Sequence, residues 1–117
     1  MTKINVTEAL DRFDNDRDIY GELVDTFVKA GSADLDELKR FVAEENLAEV
    51  CSRAHRIKGA ALTLGADELA QVAATLEGHL RSGIRNDSGA LVAELETSYI
   101  DTLAALRIVQ DTFRKPS

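Results

Sequence analysis

His55 stands in the run AHRIKGAALTLGA, residues 54–66, with Arg53, Arg56 and Lys58 around it and Gly59 one turn further on. A solvent-side imidazole is a nitrogen nucleophile or a base at neutral pH. On a helix, His55 shares a face with Cys51, Lys58, Gly59 and Leu62, at offsets of three, four and seven residues. The apolar stripe through Ala54 and Ile57 lies about 100° or more away on the wheel, so His55 sits beside the core with its ring in water. No acidic residue occurs between Val50 and Ala66, although the chain carries 21 acids against 14 bases and a net charge of -7. A basic strip cleared of acids suits an anionic group or an acidic partner surface. Gly59 points the same way. A glycine inside a helix costs about 1 kcal/mol relative to alanine, and a partner that must approach the helix closely accounts for keeping it.

A carboxylate belongs to the same constellation. His55 lies ten residues before Gly65 and Glu77 twelve after it. If the chain reverses at Gly65, the two stand at about the same height on neighbouring helices. A carboxylate beside Nδ1 fixes the proton there and leaves Nε2 free to attack. His79, the other histidine, falls at the edge of the apolar stripe of Val72, Leu76 and Leu80, and packs or is solvated. A metal site from Cys51, His55, Glu77 and His79 is disfavoured, because Glu77 and His79 are two residues apart and do not share a helix face. A hydrolase with His55 as base lacks a nucleophile: Ser52 precedes it by three residues without an oxyanion donor set or an orienting acid.

These side chains must be held by helices. Apolar residues recur at helical spacing in four long segments, about 16–44, 47–64, 66–81 and 89–113. In the first, the stripe is Tyr20, Leu23, Val24, Phe27, Val28, Leu35, Leu38, Phe41 and Val42, and Gly31 with Ser32 predicts a bend or a split at its middle. Asn46 and Glu49 open the second like a capping box, and Gly65 closes it as a left-handed cap. The SGIRNDSG connection before the fourth offers Asn86, Asp87 and Ser88 as N-caps. VTEALDRF, ahead of them all, predicts a short helix that lids one end. Short connections between long amphipathic helices make antiparallel neighbours. The expected fold is all-α: a single domain over 1–117, an antiparallel up-down four-helix bundle with a short N-terminal lid helix.

Composition excludes several classes. Net charge -7 argues against a general nucleic-acid binder. No apolar run approaches the roughly 20 residues of a membrane span, so no membrane association is expected. The lone Cys51 has no intramolecular partner for a disulfide and fits a reducing, cytoplasmic setting.

The run His55-x-x-Lys58-Gly59, small Ala60 and Ala61, then Leu64-Gly65-Ala66 and Leu76-Glu77 on the next helix resembles the signature of histidine-containing phosphotransfer (HPt) domains over nearly the whole chain. The resemblance implies a multistep two-component phosphorelay in which His55 carries a phosphoryl group between receiver-domain aspartates. The sequence contains no ATP-binding glycine motif, so no autokinase activity is expected, and no cofactor or metal is expected on this chain. Mg²⁺ is expected on the partner receiver domain. Response-regulator receivers and a sensor or hybrid histidine kinase are the implied partners of a monomer. Lys58 would offset the charge of phosphohistidine, and Glu77 matches a position where relatives carry a Gln or an acid touching the histidine. Cys51, Arg56, Gly59 and Leu62 are the expected docking residues. Ala60 departs from the pattern, since the family often has Ser there and any hydroxyl contact to phosphate is missing. The alternative is a non-catalytic helical protein-interaction module, which would take no label on His55.

Overall fold

The structure, a computed structural model, describes residues 2–83 and 88–114. Five helices follow one another: α1 (Val6–Asp11), α2 (Arg17–Ala43), α3 (Leu47–Leu64), α4 (Asp67–Arg81) and α5 (Ser88–Arg114). Each of the four long helices packs against two others, α3 between α2 and α4, and α5 between α4 and α2. Linked by short connections, they form the up-down bundle, 49 Å long and about 22 Å across.

Local signals set the boundaries. Asp16 caps α2 by accepting from the backbone N–H of Asp18 and Ile19, both at 3.1 Å. Asn46 caps α3 through the N–H of Glu49. Gly65, at φ +84°, ends α3 in the left-handed conformation that its sequence position predicts. A side chain there would be strained by φ and would also strike the Asn5 carbonyl, whose oxygen lies 2.6 Å from the place of a Cβ. Among the N-cap candidates for α5, Asn86 and Asp87 lie outside the described residues, and Ser88 is the first residue of the helix.

A split into two helices at Gly31 and Ser32 does not occur. Helix α2 runs through both without interruption. The glycine serves packing: a Cβ on Gly31 would lie 2.7 Å from Leu103 Cδ2 of α5. Leu23 also departs from expectation. It stands at the edge of the α2 stripe and is exposed, lining an open groove with Phe27, Ala30 and Ala60.

Two apolar clusters fill the bundle. The larger holds Leu38, Val50, Ala54, Ala61, Leu69, Ala73, Leu76, Leu95 and Tyr99 and backs the face that carries His55. The smaller joins Ala9 and Leu10 of α1 to Tyr20, Val24, Leu64 and Leu106. Helix α1 is therefore the lid at that end, tied down by Asn5 N–H to the Gly65 carbonyl at 2.9 Å. The Tyr20 hydroxyl donates to the Leu64 carbonyl at 2.7 Å, and burial pushes its phenol up to about 12, so it stays a neutral donor.

Candidate functional site

Helix α3 buries Val50, Ala54, Ile57, Ala61 and Leu64, which turns the intervening His55 outward. Its side chain is 58% exposed. Helix α4 buries Leu69, Ala73 and Leu76, and the next residue, Glu77, lies where α4 meets α3 with only 6% of its side chain exposed. The reversal at Gly65 brings the two to the same height. His55 Nδ1 is 2.7 Å from Glu77 Oε2.

An ionised carboxylate can only accept, so Nδ1 carries the proton in this pair. In the neutral ring, Nε2 is then left with its lone pair. The other oxygen of Glu77 accepts from Lys58 Nζ at 2.7 Å. A fourth group completes the cluster: Arg81, one turn along α4, places Nη2 2.9 Å from the same Oε2 that faces His55. The hydrogen bond from Lys58 holds the Glu77 carboxyl below its ordinary value of 4.5, aided by His55, while burial pushes the other way. A nearly buried carboxylate thus faces an ammonium, a guanidinium and an imidazole, which compensates the cost of taking it out of water.

The expected docking residues divide into two sets. Arg56, Gly59 and Leu62 are exposed, Leu62 to 45%, and beyond Gly59's own stretch of helix no atom lies within 4 Å of a Cβ built on it. Cys51 is half-buried, its Sγ turned toward the Glu77 carbonyl at 3.9 Å. Ala60 lines a groove of about 280 Å³ between α2 and α3 with Phe27, Asp34, Arg53, Arg56 and Tyr99. His79 is half-buried. Among the described residues, no three His, Cys, Asp or Glu side chains gather as a metal-binding group, and no helix is long and apolar enough to cross a membrane.

Arg81 is the member of the cluster that the sequence pattern did not single out. Its signal was present, since it lies four residues after Glu77 on the same helix face. A base in the last turn of a helix is common enough to pass as a response to the helix dipole.

Compared with known proteins, the chain matches the Hpt domain family over residues 22–107. No curated protein and no solved structure matches it. The matched span takes in His55, Lys58, Glu77 and Arg81 and leaves α1 outside.

Proposed function

The chain belongs to the Hpt domain family, whose members pass phosphoryl groups through a histidine in phosphorelays, and we propose that His55 is that histidine here. The observation that carries this reading is the 2.7 Å contact of Nδ1 with Glu77 on a ring that otherwise faces solvent. The Nε2 lone pair attacks the phosphorus of a receiver's aspartyl phosphate. The Nε2–P bond forms as the bond from phosphorus to the aspartyl oxygen breaks, and the electron pair leaves on the aspartate carboxylate. No proton has to be removed from Nε2, because the ring proton is on Nδ1. The product is a phosphorylated imidazolium whose positive charge faces the Glu77 carboxylate. The reverse step hands the phosphoryl group to the aspartate of a second receiver.

Lys58 lies on the same face and supplies positive charge for the phosphoryl group, which carries about two negative charges at neutral pH. Exposed Arg56, Gly59 and Leu62, with Cys51 behind them, form the surface on which a receiver docks, and Mg²⁺ belongs to the receiver's side. The chain acts as a carrier without autokinase activity, and as a monomer between a kinase-linked receiver and a response regulator.

Incubation with a phosphorylated receiver tests the assignment. His55→Gln is expected to keep the fold and take no label, and His79→Gln is expected to label like wild type. Wild-type label should be acid-labile and base-stable. Label on His55→Gln would place the phosphoryl group on another residue, and no label on the wild-type protein would leave a helical interaction module as the better description.

A further inference from the structure

Glu77 has more cations than it needs. One carboxylate, 6% exposed, receives Lys58 on Oε1 and both His55 and Arg81 on Oε2. In this arrangement Lys58 is committed to Glu77, at 2.7 Å, and is not free to meet a phosphoryl group. Removing it from Glu77 without replacement would leave Oε1, one oxygen of a nearly buried carboxylate, without its partner, which is costly.

Arg81 removes that obstacle. Its side chain is 64% exposed and already in contact with the carboxylate through one nitrogen, Nη2, at 2.9 Å. A guanidinium is a planar fork that can take both oxygens of a carboxylate at once, whereas an ammonium on a four-carbon stem is a mobile point charge. We propose that Arg81 is a positioning residue that releases Lys58: when His55 is phosphorylated, Arg81 closes as a fork over both oxygens of Glu77 and the Lys58 ammonium transfers to the phosphoryl group. The exchange rests on the reading of His55 as the phosphorylated residue. It needs no further proton or co-reactant, because the carboxylate keeps a cationic partner on either side of the step. The imidazolium formed at His55 helps by tightening its own bond to Oε2, where the ring remains.

The consequence is a coupling between two residues on different helices. Lys58 can serve the phosphoryl group only if Arg81 covers Glu77, so removing either should have the same effect, and removing both should be no worse than removing Lys58. The experiment measures phosphohistidine lifetime and transfer rate in wild type, Arg81→Gln, Lys58→Gln and the double variant. Arg81→Gln is expected to lose about tenfold, the scale of one charge-assisted contact. The double variant should match Lys58→Gln. Arg81→Lys should fail to rescue, since an ammonium cannot fork the carboxylate. NMR of the Lys58 Nζ group gives a second reading: its resonance should move on phosphorylation of wild type and stay in place in Arg81→Gln. Additive losses, or an Nζ signal unmoved in phosphorylated wild type, would overturn the exchange while leaving His55 as carrier. Absence of label from His55 would overturn both.

Discussion

In the proposed transfer, the proton on Nδ1 of His55 decides whether Nε2 attacks, and the Glu77 carboxylate that would hold it there lies 2.7 Å away. Free neutral histidine prefers the opposite tautomer, with the proton on Nε2. Glu77→Ala should therefore shift the neutral ring of His55 toward the Nε2–H form and slow phosphoryl acceptance. The ¹⁵N shifts of the imidazole report this directly, and an unchanged Nδ1–H ring in the variant would remove the role. The same carboxylate makes stability depend on pH. Its folded pKa is lowered, first by the Lys58 hydrogen bond, so its stabilising effect is present above the ordinary 4.5 and is lost as pH falls through the folded value. The difference in denaturation midpoint between wild type and Glu77→Gln should then be full well above 4.5 and shrink as the pH falls below it. A gap that stays constant would mean that the ionised pairs contribute nothing. His55, Lys58 and Glu77 were legible in the sequence because helical offsets and a Gly turn fix relative heights. Arg81 was not singled out, because a base in the last turn of a helix passes as a response to the helix dipole even four residues after Glu77.

Two glycines in the middle of long helices look alike in the sequence and should respond oppositely to the same change. Around Gly59 of α3 there is open space, so Gly59→Ala should stabilise the fold by about 0.5–1 kcal/mol, the usual helix-interior gain. At Gly31 of α2 a Cβ would press on Leu103 at 2.7 and 2.8 Å. Overpacking costs about 1–3 kcal/mol, which cancels the helix gain and leaves Gly31→Ala neutral to destabilising by up to about 2 kcal/mol. Urea denaturation of both variants separates the cases, and equal stabilisation would mean that α2 and α5 give way freely. Gly59→Gln adds a functional reading. It should melt no lower than wild type yet lose most phosphotransfer, because its side chain would stand one turn from His55 on the proposed docking face. Helix ends were readable from Asp16, Asn46 and Gly65, whose side chains or backbone act locally. The unbroken course of α2 was not. What Gly31 makes room for is Leu103, 72 positions along the chain, and a local rule treats the glycine as a breaker.

Across the whole molecule, the two apolar clusters lie at different places along one bundle, and one of them backs the candidate site. The larger apolar cluster lies behind the His55 face, while the smaller is closed by α1, outside the span matched to the family. Leu64, which α1 covers, is nine residues beyond His55 on α3, or about 14 Å along the helix. A cavity at the lid end should therefore weaken the fold without disturbing the carboxylate cluster. Leu10 is the residue to test, since it is buried against Tyr20, Val24, Leu64 and Leu106. Leu10→Ala should cost about 2–3 kcal/mol, toward the lower part of the range for buried leucines because α1 is short and can settle. For a domain of this size that lowers the melting temperature by about 10 °C. Well below the transition, phosphotransfer from a labelled receiver should run at the wild-type rate. Leu76→Ala provides the contrast, because Leu76 is fully buried and immediately precedes Glu77 on α4. There the collapse of the core should move the carboxylate, so both melting temperature and transfer rate should fall. If Leu10→Ala slowed transfer as much as Leu76→Ala, the bundle would have to be treated as one mechanical unit, with the lid bearing on His55 through the length of α3.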